Sequence, residues 1–211
     1  MGDKRLRPAQ NIEIRHKVKD SKFFGSIFAV QSREEAESRI DEVKEKYSDA
    51  THNVSAYRVE SSSPNSDPIE YFDDDGEPAG SSGPPVLDVI KGENLINTVI
   101  IVTRYFGGTK LGIGGLIRAY GDTARLAVEE AGIESLEKFY KIEASASFDK
   151  LGIILGQLEA VGADIKDTDY NNQGGTVTAE IKSEILDNLK KRLKKKTAAD
   201  YKLDIKQELF H

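Results

Sequence analysis

Polar and apolar positions alternate most regularly in the last third of the chain. Across residues 140–147, Tyr140, Ile142, Ala144 and Ala146 alternate with Lys141, Glu143, Ser145 and Ser147, the two-residue period of a strand with one buried face. The period then changes. Leu151, Ile154, Leu155, Leu158 and Val161 recur at helical spacing, which predicts a helix over 149–161 stopped by Gly162. A strand over 163–170 leads to Asn171-Asn172-Gln173-Gly174-Gly175, a hairpin turn because Asn and Gly tolerate positive φ. Residues 176–181 alternate again. Ile185, Leu186, Leu189 and Leu193 form one stripe of a helix over 184–196, and 201–210 read as a fourth strand. The order βαββαβ is the ferredoxin-like split motif.

Upstream, the pattern is that of a separate α/β unit. Residues 12–18 and 23–30 read as strands, and Ser32 with Glu35 forms a capping box for a helix carrying Ala36, Ile40, Val43 and Tyr47. A strand follows over 53–59. Residues 60–85, rich in Ser, Pro, Gly and Asp, predict a long loop of the kind that is functional or mobile. Pro84 and Pro85 open a short helix ending at Gly92. The uninterrupted run over 98–103 predicts a central strand buried on both faces. A glycine-rich stretch then enters a helix over 115–131, stopped by Gly132. The expected domains are an N-terminal α/β domain over 1–136 and a C-terminal domain over 137–211, an α+β architecture.

Composition narrows the classes. The 211 residues are 38% hydrophobic and 31% charged, which fits a folded globular chain. No apolar run approaches the roughly 20 residues of a membrane-spanning helix, and the first ten residues lack the apolar segment of a signal peptide. The chain has no cysteine, so a disulfide partner, a thiolate nucleophile and a zinc–thiolate site are excluded. A cytoplasmic location is expected. The net charge of −6 argues against a wholly basic surface, but it is unevenly spread. Residues 1–136 hold 17 Lys and Arg against 23 Asp and Glu, while 137–211 hold 13 of each, so local basic patches are compatible with the average.

The most unusual segment runs from Arg104 and Tyr105 through Gly107, Gly108, Lys110, Gly112, Gly114 and Gly115, with Arg118 one turn into the helix. A glycine loop between a buried strand and a helix N-terminus exposes backbone N–H groups beside a positive dipole end, which suits a phosphate or carboxylate. It matches neither a Walker A loop nor the dinucleotide fingerprint. The same glycines also serve a tight turn and close packing. In the second candidate segment, Asp73, Asp74, Asp75 and Glu77 offer four carboxylates to a hard cation such as Mg²⁺, or form a solvated acidic turn. No metal site or cofactor is assigned from this spacing. Ser81 and Ser82 lack the nucleophile-elbow context, and the three histidines, His16, His52 and His211, have no serine placed beside them. His52, next to Asn53 on the strand that ends near Arg58, serves either as a general acid or base or as a hydrogen-bonding group of the core. Lys190, Lys191, Arg192, Lys194, Lys195 and Lys196 form the dense basic run, an RNA-facing patch or a solvated helix end.

Two longer strings go further. Asp74-Asp75-Gly76-Glu77-Pro78-Ala79-Gly80-Ser81-Ser82-Gly83, with Pro85, and then Val102-Thr103-Arg104-Tyr105-Phe106-Gly107-Gly108 with Leu111, Gly112, Gly114, Gly115, Leu116, Ala119 and Tyr120, resemble the signature of the YigZ/IMPACT family. Ser21-Lys22-Phe23 and Ala50-Thr51-His52-Asn53 with Ala56, Tyr57 and Arg58 match it as well. The resemblance implies a left-handed βαβ N-terminal domain similar to domain IV of elongation factor G, and a ferredoxin-like C-terminal domain similar to its domain V. Eukaryotic relatives regulate translation, with an additional protein-binding domain.

Two functional readings follow. In the first, the protein binds RNA or the ribosome without catalysis. Arg104 and Lys110 then contact phosphates, and Tyr105, Phe106 or Tyr120 stacks on a base. In the second, an enzyme acts on a small phosphorylated or amino-acid-derived ligand in a pocket of His52, Asn53, Arg58, Asp74, Asp75, Glu77, Ser82 and Tyr120. A closed cleft between the two motif loops favours the second reading, and a broad basic face the first. A protein–protein adaptor is a third possibility, and the oligomeric state stays open.

Overall fold

The computed structural model of the chain describes residues 4–61 and 66–210. Residues 62–65 of the expected long loop, and His211, lie outside the described residues. In chain order the elements are β1 (Lys4–Pro8), β2 (Ile12–Val18), β3 (Ser21–Ala29), α1 (Arg33–Lys46), β4 (His52–Val59), β5 (Ile69–Asp73), α2 (Gly83–Gly92), β6 (Thr98–Tyr105) and α3 (Ile113–Ala131). There follow β7 (Ile133–Ser147), α4 (Phe148–Ala160), β8 (Asp164–Asn171), β9 (Gly174–Lys182), α5 (Leu186–Lys196) and β10 (Lys202–Phe210). The chain forms two compact units, one of residues 6–135, the other of 136–211 with the start of β1. The architecture is α+β with two antiparallel sheets.

In the first unit the sheet order is β2-β3-β6-β4-β5. Strand β6 is central because its apolar run serves both faces. Ile100 and Val102 face a core with Phe23, Ile27, Ala124 and Ala127, while Val99 and Ile101 face one with Ala36, Ile40 and Val43. Helices α2 and α3 thus cover one face and α1 the other. Each fully buried Val or Ile contributes roughly 1.5–3 kcal/mol. Half of the capping box at α1 forms, with Ser32 Oγ accepting from the Glu35 N–H at 3.2 Å, while the Glu35 carboxylate reaches past the cap to accept from the Gln31 N–H at 2.8 Å.

The expected loop over 60–85 is interrupted by β5, which the local pattern did not indicate. Its order comes from pairing with β4, Val59 opposite Ile69 through Ser55 opposite Asp73, and from stacking of Tyr71 on Tyr57 with ring centres 4.9 Å apart. Strand β1 is a second element not foreseen, and it pairs with β7.

In the second unit the strands run β10-β7-β9-β8, all antiparallel, the order the split βαββαβ pattern requires. Leu151, Ile154 and Leu158 of α4 pack with Leu186, Leu189 and Leu193 of α5 on one side of that sheet. The dense basic run therefore lies on the outer face of α5, with Lys191, Lys194, Lys195 and Lys196 exposed and Arg192 Nε donating to Gln157. Among the described residues no helix is long and apolar enough to cross a membrane.

Candidate functional site

The two motif loops meet beside the C-terminal end of β6. After six buried positions the strand delivers Arg104 to the α3 side of the sheet, where it is 5% exposed. Its Nη1 donates to Glu77 Oε1 at 2.5 Å, and its guanidinium sits over two rings, 5.6 Å from the centre of Phe23 and 5.4 Å from that of Phe106. Arg104 Nε is buried without a partner. Glu77 is itself 8% exposed, and Tyr120 donates its hydroxyl to the same Oε1 at 2.8 Å. Burial first, then the Glu77 charge, push the Tyr120 phenol far above its usual range, so it remains a donor. His52 Nδ1 donates to the Asp75 carbonyl at 2.7 Å, which places a proton on Nδ1 and leaves Nε2 3.8 Å from Glu77 Oε1.

Between this cluster and the start of α3 lies a cleft of about 440 Å³. Its polar lining includes His52, Glu77, Arg104 and Lys110; Pro78, Phe106, Leu111, Ile113 and Leu116 supply apolar wall. At its edge α3 begins without a side-chain cap. Gly112 occupies the N-cap at φ +72°, a left-handed conformation that suits glycine, and the first helical bond runs from the Leu116 N–H to the Gly112 carbonyl at 2.9 Å. The N–H groups of Ile113, Gly114 and Gly115 therefore have no partner within the helix. The loop is anchored from outside. Thr51 Oγ1 accepts from the Phe106 N–H at 3.0 Å, Ser21 Oγ from the Gly107 N–H at 3.3 Å, and Thr109 donates to Asp20 at 2.6 Å.

Of the residues singled out in the sequence, the structure gathers His52, Glu77, Arg104, Lys110 and Gly112 at the cleft, with Gly114 and Gly115 in the adjoining helical turn. The others serve elsewhere. Asp74 caps α2 from outside the helix: its carboxylate accepts from the Ser82 hydroxyl at 2.6 Å and from the N–H groups of Gly80, Ser82 and Gly83 at 2.7, 3.1 and 2.8 Å. Partial burial pushes its pKa up, but these hydrogen bonds outweigh that and hold it below the usual carboxylate value. Asp75 accepts from the Asn53 N–H at 2.5 Å, while the Asn53 side chain bridges Thr103 and the Tyr47 carbonyl. Arg58 donates to the Leu95 carbonyl and pairs with Glu70. Arg118 is exposed in a separate groove between α2 and α3.

Three expectations are thereby corrected. Arg104 is a buried ion-pair partner rather than an open phosphate contact. Tyr120 is fully buried and edge-on to Phe23 at 5.3 Å, so it has no face for a base. Tyr105 points to the opposite side of the sheet, packs on Phe24 and Tyr47, and donates to Asp49 at 2.6 Å, a bond that, with some burial, pushes its pKa up to about 12. The acidic run does not converge either. Among the described residues no three His, Asp or Glu side chains are placed to hold one metal ion. Ser21 and Thr51, which hold the glycine loop, carried no periodic signal; they stand out only in the matching strings around residues 21 and 51.

Comparisons with known proteins identify the family. The family model "Impact N-terminal domain" matches residues 19–128, a span that contains every residue of the cleft. The IMPACT family member YvyE of Bacillus subtilis is 36% identical over 154 residues, covering 73% of this chain and 69% of its own. The IMPACT family member YigZ of Escherichia coli is 32% identical over 125 residues, 59% of this chain and 60% of its own. A crystal structure described as that of a hypothetical protein superposes with a TM-score of 0.67 at 24% identity, covering 98% of this chain and 99% of its own, which shows a shared fold.

Proposed function

The chain belongs to the IMPACT family, and from that membership we propose that it is a cytoplasmic, translation-associated regulatory protein that binds RNA or the ribosome without catalysis. The observation that carries this reading is the opening turn of α3. The N–H groups of Ile113, Gly114 and Gly115, without partners in the helix, lie beside the exposed Lys110 and the half-exposed ring of Phe106. A cation, backbone donors and an aromatic face in one patch suit a phosphate and a base. The carboxylates that general acid–base chemistry would need are engaged otherwise: Asp74 caps α2, Asp75 ties down β4, and Glu77 neutralises Arg104.

Likeness of the two units to domains IV and V of elongation factor G, and division of the chain near residue 136, belong to the same proposal. The β3–α1–β4 connection, whose strands flank β6, and the strand order of the second unit support it. The test is sedimentation with ribosomes and binding of total RNA across a salt series, wild type against Lys110→Ala/Arg118→Ala. Each phosphate contact removed should lower the log–log salt slope by about 0.7–0.9. Absence of binding at low salt overturns the reading.

The cleft itself favours a second reading, an enzyme acting on a small phosphorylated or amino-acid-derived ligand between the two motif loops. Its volume of about 440 Å³ falls in the ~300–1,000 Å³ range of small-molecule sites. A thermal shift with a phosphorylated metabolite, followed by its turnover, would support this reading. The absence of any such shift counts against it.

A further inference from the structure

We infer that the cleft between the two motif loops takes a single nucleotide, its base inside against Phe106 and its phosphate at the opening turn of α3. The inference deepens the RNA-binding reading and rests on it for the source of the ligand, but the site is argued from its own chemistry.

The walls suit a flat, largely apolar body. Pro78, Leu111, Ile113 and Leu116 line the cleft, and the Phe106 ring, 45% exposed, is held over the Arg104 guanidinium. A ring fixed in this way offers a pre-oriented stacking face, which limits the entropy lost when a base docks. Charge is divided along the cleft. At the inner end Arg104 neutralises Glu77, so that carboxylate does not repel an anion at the mouth. At the outer end Lys110 and the N–H groups of the opening turn of α3, residues 113–115, which have no partner in the helix, provide the positive side.

The inner polar groups also select an edge. The hydrogen bonds to Glu77 fall on Oε1, which leaves Oε2 as an acceptor. His52 donates through Nδ1 to the Asp75 carbonyl, so in the neutral form of the ring Nε2 is an acceptor too. Two acceptors at the inner end call for a base with adjacent N–H donors. Guanine presents N1–H and N2–H side by side, whereas uracil presents N3–H alone.

The experiment follows the backbone amides of Gly112, Ile113, Gly114 and Gly115 by NMR in the full chain. It titrates GMP, UMP, guanosine, inorganic phosphate and a guanine-containing single-stranded oligoribonucleotide. Wild type is compared with Phe106→Ala, Phe106→Leu and Lys110→Ala. We expect GMP to saturate and shift those amides and to bind more tightly than UMP. Both Phe106 variants should weaken GMP by about 5- to 150-fold, the change that corresponds to a stacking contribution of ~1–3 kcal/mol. Lys110→Ala should weaken GMP and leave guanosine unchanged. Phe106→Leu keeps a side chain over Arg104 and guards against a variant that fails to fold. Oligonucleotide binding that depends on Phe106, with no effect of free GMP, supports the site and assigns the nucleotide to an RNA strand. GMP binding with no binding of oligonucleotide or ribosome supports the site and overturns the RNA reading. Inorganic phosphate matching GMP in affinity overturns the inference. So does RNA binding undiminished in all three variants, with the RNA reading then left standing.

Discussion

Arg104 ends a strand whose preceding six positions are buried, and its register carries the guanidinium to the α3 side of the sheet, against Glu77. Removing it leaves a carboxylate with 8% exposure and no counter-charge. Arg104→Ala should therefore cost about 3–5 kcal/mol, measured as the shift in denaturant midpoint at constant slope. The double variant Arg104→Met/Glu77→Gln should recover most of that loss, because no uncompensated charge remains. If the double variant is as unstable as the single one, packing rather than charge dominates. Asp74 gives a pH-dependent counterpart. Its carboxyl is held below its unfolded value of roughly 3.9, so its stabilisation is complete above that value and is lost as pH falls through the lower folded one. Asp74→Asn should cost about 1 kcal/mol at neutral pH and reduce the fall in stability on acidification. Urea titrations from about pH 7 to about pH 2 would show both effects. The acidic string was conspicuous in the sequence, but its division of labour was not. Four carboxylates in five residues look alike until the fold gives each a different partner.

Helices and central strands were the most legible elements, because their periods of 3.6 and 2 are set by which faces the sheet buries. Helix α1 follows its capping box, and β6 follows its apolar run. Strand β5 was not legible. Tyr71 and Phe72 are 41% and 46% exposed, so its five residues bury too little to show a pattern, and pairing with β4 orders them. The glycine loop shows the same division at finer grain. A Cβ on Gly107 would lie 2.0 Å from the Asp20 backbone, whereas one on Gly114 meets nothing nearer than Arg118 Nη1 at 3.8 Å. Gly107→Ala should force the β2–β3 turn off the loop, lowering the melting temperature and weakening RNA binding. Gly114→Ala, within α3 at ordinary φ, should stabilise by roughly 0.5–1 kcal/mol. Differential scanning calorimetry separates the two. A stable Gly107→Ala protein would mean that the loop is not pinned to that turn.

On the scale of the whole molecule, a net charge of −6 coexists with exposed cations at Lys110, Arg118 and the outer face of α5. An acidic protein that binds RNA through such a patch should do so with a salt slope set by the local phosphate contacts rather than by net charge. Adding Lys191→Ala/Lys194→Ala/Lys195→Ala to the ribosome assay asks whether the second unit contributes. A slope unchanged by the triple substitution and reduced by Lys110→Ala/Arg118→Ala would confine binding to the first unit. The sequence by itself determined the α+β class, the βαββαβ order of the C-terminal unit, the central position of β6 and, through two long strings of matching residues, the family. These depend on periodicity, caps and turn residues, which act over a few positions of the chain. Only the tertiary structure decided that Arg104 is buried and paired, that Tyr105 lies on the opposite side of the sheet and Tyr120 inside the core, and that Phe106 and Lys110 flank a cleft with His52 and Glu77. Those outcomes depend on sheet register and on contacts between residues far apart in the chain, such as Ser21 with Arg104, 83 positions apart, and Asp20 with Thr109, 89 positions apart. Neighbouring residues in the chain carry no trace of them.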